Sequence, residues 1–377
     1  MKKLFAVLLA VLMVFTLVGC SSNTPAASES EGPGPDVKTI YIMGPTPDHG
    51  WTAQAGTYAS AKAEEIKAGG EYNATYMAAS SGEQQVDQCK QIVANGDAAI
   101  VVMMPLEDSA ADGQLALHDA GIPFISFDRI IESTEKYAAL NTSGDNWAVG
   151  AGIAYWLQKN GLKAGDTVVV LYGDNGTVCS RRQEGFEKFL QGEMKYEDEK
   201  LGSFETAEKW SQDDTAAIFK GYTVVCNWSA DGASEYLAQK LPEIIDAATA
   251  NGGNLYIYSM DDEMTFGLLN TLDTTITGTD YEAKAESLNI YCSAIGGMQE
   301  LFDVMSGKDA TKAGICNKYI DDIMDMYFSP KMMSDVIDKG LDYCHGNWDF
   351  QVGDGYYTPT FMVTKAEAGS IEGFTGH

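Results

Sequence analysis

Basic residues are scarce in this 377-residue chain: 25 Lys+Arg stand against 54 Asp+Glu, a formal net charge of −29. Phosphate backbones and anionic headgroups would be repelled, which excludes nucleic acid as a partner. Histidine is scarcer still, with His49, His118, His345 and His377 the only four. No GxSxG, P-loop or HExxH pattern occurs. No CxxC occurs, and Cys344-His345 lacks the spacing of a metal pair. Neither an enzyme nor a bound metal or cofactor is therefore expected. Long apolar runs are confined to Leu4–Val18, shorter than the roughly 20 residues that span a bilayer. What remains is ordinary globular composition, 45% hydrophobic and 21% charged. At about 150 residues per domain, two domains are expected.

Met1-Lys2-Lys3 precedes the apolar run, which closes on Leu17-Val18-Gly19-Cys20 and then Ser21-Ser22. That resembles the bacterial lipobox, in which a cysteine after a secretory apolar segment is lipidated. Residues 1–19 are thus expected to be a signal peptide and Cys20 a lipid anchor. Residues 20–36, rich in Ser, Pro, Gly and Glu, are expected to be a disordered tether. The body would face the extracytoplasmic side of the cell membrane. Of the six other cysteines, Cys89 and Cys292 lie in apolar stripes and read as buried small hydrophobes. No disulfide connectivity can be read for these two or for Cys179, Cys226, Cys316 and Cys344.

From residue 38 apolar strands alternate with amphipathic helices. Strands are expected at 39–43, 72–78, 98–103 and 122–127, separated by helices at 52–67, after a capping box at Ser81–Gln84, and at 108–120. The pattern restarts beyond Asn141-Thr142-Ser143-Gly144, with strands at 167–171, 222–225, 254–259 and 288–293. Helices between them are expected at 147–159, 183–190, 234–250, 263–272 and 298–305. Two successive sets of this kind predict an α/β fold of two similar lobes, each a parallel sheet flanked by helices, joined by a hinge. The first lobe is assigned 37–143 and about 327–347, the second 144–326 and about 348–377. The polar, acidic stretch 191–220 reads as an insertion in the second.

In open parallel sheets ligands bind beyond the carboxyl ends of strands. Those positions hold Trp51 after strand one, Glu107 after strand three and Asp128-Arg129 after strand four. In the second set they hold Asp174 and then Arg181-Arg182, Asn227-Trp228, and Asp261-Asp262-Glu263. Carboxylates and guanidinium forks together suit a neutral polyhydroxyl ligand, whose hydroxyls both donate and accept. Indole rings suit its C–H faces.

The chain resembles the type I periplasmic solute-binding proteins of ABC sugar importers, the ribose and galactose binders, over roughly residues 38–365. The resemblance is carried by Gly121-Ile122-Pro123 through Asp128-Arg129, and by Gly144-Asp145-Asn146 with Gly150. It continues in Arg182-x-x-Gly185-Phe186, Asn227-Trp228, and Asp261-Asp262-Glu263-Met264 with Gly267. It implies that Asp128, Arg129 and Arg182 bind sugar hydroxyls and that Trp228 stacks on the ring. It implies further that Trp51 forms another aromatic wall, that Asp261 stands where the family usually has Asn, and that Asp325 matches a ligand-binding Gln. The chain departs from the pattern at Ala294-Ile295-Gly296-Gly297, where the family often places a ligand Asp, and in 191–220. On this resemblance the protein is expected to be a monomer that captures a monosaccharide or related polyol by cleft closure and delivers it to an ABC permease.

Other readings stand beside these. Trp51 and Trp228 could be core anchors, with Trp210 a rival for the stacking role. Arg181 is the alternate to Arg182. Asp262 is taken as the cap of the next helix and Asp261 as the contact. Asp145 and Asn146 are taken to fix the crossing between lobes. A signal receptor of the same fold, for a sugar or autoinducer-2, and a surface carbohydrate hydrolase are the competing functions.

Overall fold

The computed structural model describes residues 37–46, 50–198 and 200–376. The expected leader, the tether, Cys20 and His49 lie outside the described residues.

The first lobe is built in chain order from β1 (Thr39–Pro45), α1 (Gly50–Gly69), β2 (Asn73–Ala79), α2 (Gly82–Asn95), β3 (Ala98–Met103), α3 (Ala111–Asp119), β4 (Phe124–Phe127) and β5 (Leu140–Gly144). Local chemistry sets these ends. Ser81 caps α2 by accepting from Gln84 N, and Gly96 ends it at φ 71°. The reciprocal half of the expected capping box falls one residue earlier, because Gln84 Oε1 takes Ser80 N instead of Ser81 N. The strand Ala98–Met103 is apolar throughout and its last four residues are buried, as a strand covered on both faces requires.

The chain then crosses to the second lobe: α4 (Asn146–Lys159), β6 (Thr167–Tyr172), α5 (Thr177–Gln191), the hairpin β7 (Tyr196–Asp198) and β8 (Gly202–Phe204), and α6 (Gln212–Ile218). It continues through β9 (Tyr222–Val225), α7 (Ala230–Ala250), β10 (Asn254–Ser259), α8 (Asp262–Thr271), α9 (Glu282–Glu286), β11 (Asn289–Gly296), α10 (Gln299–Met305), α11 (Ala310–Tyr319) and β12 (Asp322–Tyr327). A second crossing leads to α12 (Met332–Cys344) and β13 (Gly355–Thr358), and a third to β14 (Phe361–Thr364).

The first sheet runs β13-β5-β4-β3-β1-β2 and the second β14-β12-β11-β10-β6-β9. All pairings within them are parallel except β12 with β14. This is the two-lobe α/β architecture expected. One boundary moves. Gly355–Thr358, expected in the second lobe with everything past about 348, pairs with Asn141–Gly144 of the first sheet. The edge of β5 otherwise exposes its backbone groups, and β13 satisfies them. The stretch 191–220, read as a polar insertion, is packed into the second lobe. Tyr196 is fully buried, and Asp198 accepts from Met362 N at 3.1 Å, tying the hairpin to β14.

In the first sheet β1 lies between β2 and β3, and in the second β6 lies between β9 and β10. Each lobe therefore has a switch point where successive connections leave in opposite directions, and a crevice opens at the carboxyl ends there. The first and third crossings are bonded together: Asp145 N donates to Thr358 O at 2.9 Å. A Cβ on Gly144 would stand 2.0 Å from the Phe328 ring, so only glycine lets the first and second crossings touch.

Candidate functional site

A cavity of about 670 Å³ opens where the carboxyl ends of both sheets meet. Trp51, Asp128 and Arg129 line it from the first lobe, and Arg182, Trp228 and Asp261 from the second. These are six of the residues singled out in the sequence. Asp325 does not join them. It is fully buried in β12 behind the second-lobe wall, because its carboxyl is taken by the backbone N–H of Gly297 at 3.1 Å.

Three residues other than glycine adopt left-handed backbone among the described residues: Asp128 (φ 64°), Asn227 (φ 53°) and Trp228 (φ 55°). All three line the cavity. Such conformations are disfavoured for residues with a Cβ and persist only where the surroundings impose them, commonly at binding sites. At Asp128 the turn follows β4 and is held by Asp128 N donating to Thr142 O at 2.8 Å. It directs the Asp128 carboxyl inward, 7% exposed. Burial pushes that carboxyl up, with Arg129 and Arg182 opposing.

Arg129 donates to Leu106 O at 2.6 Å and reaches Asp174 of the second lobe at 3.6 Å. Asp174 in turn accepts the Trp228 indole N–H at 2.8 Å. The indole lies flat on Gly173, where a Cβ would come within 2.1 Å of the ring. The Arg129 and Arg182 guanidinium carbons stand 5.9 and 5.7 Å from the Trp228 ring centre. Trp210, the rival, is a core residue on the far side of the insertion at 7% exposure and does not line the cavity.

Arg182 lies inside α5, which begins at Thr177 rather than near residue 183 as its apolar spacing predicts. The helix packs on α4 so closely that a Cβ on Gly150 would fall 1.9 Å from Arg182 O. Arg182 is 4% exposed, donating through Nε to Asn146 Oδ1 at 2.9 Å and through Nη1 to Met260 O at 2.5 Å. Arg181, the alternate, points elsewhere. Its guanidinium stacks on Trp147 at 4.5 Å and faces Tyr357 at 5.8 Å.

Trp51 is both packed and part of the cavity wall. Its ring packs beside Phe127 and Phe328, its Nε1 donates to Phe328 O at 2.7 Å, and it lines the cavity. The roles given to Asp261 and Asp262 are corrected. Asp261 caps α8, accepting from Glu263 N at 2.9 Å, while also lining the cavity. Asp262 is buried and holds Met298 N at 2.7 Å. Burial, with Asp262 next to it, pushes the Asp261 carboxyl well above the usual range. Asp145 does cap α4 at the first crossing, accepting from Ala148 N at 2.9 Å.

The cavity has further lining not assigned a contact role from the sequence: Asp174, Glu107, Glu263 and Phe328. Asp174 and Glu107 follow strands, the signal that found Asp128. Phe328 follows β12, a strand whose acidic residues hid it.

Comparison with known proteins places this geometry. A family described as periplasmic binding protein domain matches residues 40–287. No curated protein matches the chain in sequence. Among solved structures, the periplasmic component of the arabinose ABC transporter of Shewanella sp. ANA-3, bound to L-arabinofuranose, is 16% identical. It aligns over 88% of this chain and 94% of its own, with a TM-score of 0.61. A carbohydrate transporter solute-binding protein of Chloroflexus aurantiacus in complex with D-glucose is 17% identical over 88% and 94%, with a TM-score of 0.62. A Bacillus halodurans ABC transporter solute-binding protein with myo-inositol is 13% identical over 91% and 98%, with a TM-score of 0.59. With the family matched over most of its length and the two-lobe fold shared, this chain belongs to the periplasmic binding proteins.

Proposed function

We propose that the protein captures a monosaccharide or related polyol in the interlobe cleft and delivers it to an ABC permease, without turning it over. One observation carries the reading. Two indoles, two arginines and five carboxyls from both lobes converge on one cavity large enough for such a ligand. The arginines and carboxyls answer hydroxyls that donate and accept, and Trp51 and Trp228 supply flat apolar area. Ligands of the structural neighbours, L-arabinofuranose, D-glucose and myo-inositol, belong to this class. The hinge supplies the mechanism: closure buries the ligand, and the closed shape is what a permease distinguishes. The lipobox-like Cys20 would anchor the body to the extracytoplasmic face of the membrane.

A thermal-shift screen of the purified protein against pentoses, hexoses, deoxysugars and polyols tests this. A ligand that binds only the native state raises the midpoint by mass action. One sugar should do so, and Asp128→Ala should abolish the shift. No shift across the panel would sink the reading and favour a signal molecule.

A further inference from the structure

Behind the second-lobe wall two carboxyls meet without a counter-charge. Asp262 at the start of α8 and Asp325 in β12 are 1% and 0% exposed. Each uses Oδ2 to hold a backbone N–H, Met298 N at 2.7 Å and Gly297 N at 3.1 Å. The Oδ1 of each is buried and has no donor group among the described residues. The two carboxyls sit side by side on the adjacent N–H groups of Gly297 and Met298. If both were ionised they would offer each other only acceptors, and each Oδ1 would stay buried without a donor.

The neighbours reinforce this. Asp261 at the cap of α8 and Glu263 in its first turn add like charge, Asp261 acting directly on Asp325 and Glu263 on Asp261. The turn between β11 and α10 contributes only backbone N–H groups, those of Gly296, Gly297 and Met298. Arg182, from α5, is bonded to Asn146 and Met260 and acts on Asp261. Burial raises both carboxyls of the pair above the ordinary range, and their mutual repulsion adds to it at Asp262.

The pair also abuts the cleft. Gly296 lines it, and a Cβ there would stand 2.5 Å from Asp262 Oδ2. Asp261, next in the chain to Asp262, lines it as well. Resting on the reading that this cleft is the ligand site, we infer that one proton shared by Asp262 and Asp325 holds Asp261 and the Gly296–Met298 turn in place. The binding-ready form of the cleft is then proton-linked and gives way as the solution becomes alkaline. Asp262 and Asp325 are positioning residues, since neither lines the cavity.

The folded chain keeps this proton where the unfolded chain has lost it. The pair's contribution to stability is therefore full at acid pH and is lost as pH rises from the ordinary carboxylate range toward the raised one. Asp262→Asn and Asp325→Asn each replace the shared proton with an amide N–H that donates permanently. The test follows three readouts against pH in the full-length protein and both variants: the infrared carbonyl band of a protonated carboxylic acid, tryptophan fluorescence from the cleft, and affinity for D-glucose, L-arabinose and myo-inositol as probes. The wild type should keep the band at about pH 7, well above the ordinary carboxylate range. Band and fluorescence should change together on alkalinisation, and both variants should lose that transition. A bound probe should lose about tenfold in affinity between about pH 5.5 and about pH 8.5 in the wild type and under about twofold in the variants. Absence of the band, or one pH profile common to all three proteins, overturns the inference. If no probe binds at any pH the sugar reading falls, while band and fluorescence still decide the proton.

Discussion

Arg129 and Asp174 come from different lobes and meet across the cleft at 3.6 Å. Their side chains are 25% and 30% exposed, so salt screens the pair and it contributes at most about 1 kcal/mol. Asp174→Asn removes the charge and keeps an acceptor for the Trp228 indole. The variant should open more readily, seen as a larger radius of gyration by small-angle scattering without ligand. Its sugar affinity should fall by up to about fivefold. The salt dependence of wild-type binding should shrink with it.

Trp228 offers a separable test. Trp228→Ala removes the indole face and keeps the left-handed backbone at φ 55°, since alanine retains the Cβ. Sugar affinity by titration calorimetry should drop about tenfold or more, while the unfolding midpoint moves little. Trp228→Phe keeps a ring and loses the N–H to Asp174, so its affinity should lie between the two.

How far the sequence led is visible at particular residues. Apolar runs such as Ala98–Met103 and Leu255–Tyr258 announce their strands because burial on both faces favours apolar side chains. Leu140–Gly144, LNTSG, is rich in turn-favouring residues yet is a buried strand, paired in the sheet and with Asn141 Nδ2 donating to Glu135 O at 2.9 Å. The strand Asp322–Tyr327 was hidden by its carboxylates, one of which is Asp325. Strand ends pointed to Asp128, Arg129 and Trp228, which line the cavity. Between adjacent residues the signal runs out: Asp261 and Asp262 differ only in which way the chain turns, and the cap of α8 is Asp261 rather than Asp262.

Asp198 predicts an acid limb of stability. Burial alone would raise its carboxyl, but the Tyr196 hydroxyl and the N–H groups of Met362, Leu201 and Lys200 outweigh it and hold it low. A depressed carboxyl contributes stability above the unfolded value and loses it as pH falls through the folded one. Asp198→Asn should cost about 1–3 kcal/mol by urea denaturation near neutral pH. That deficit should narrow steadily on acidification.

The six described cysteines are free thiols, and five are buried. Burial pushes Cys89 and Cys226 up to about 12 and Cys179 and Cys344 up to about 11. Few thiolates exist at about pH 8, and alkylation of the native protein should be slow. Quantitative labelling should need denaturant, with half-buried Cys344 modified first. Rapid native labelling of Cys179 or Cys226 would contradict this.

The indole of Trp51 is bolted to the carbonyl of Phe328, a residue of the second crossing whose ring also lies under the Arg182 guanidinium, 5.2 Å away. Cavity wall and pivot are thus one piece of machinery. Under the proposed function, a substitution that reshapes the wall for a new ligand also alters the stiffness of the pivot, and with it the rate of release. Ligand choice and release rate would then be inherited together, and selection on either would drag the other with it.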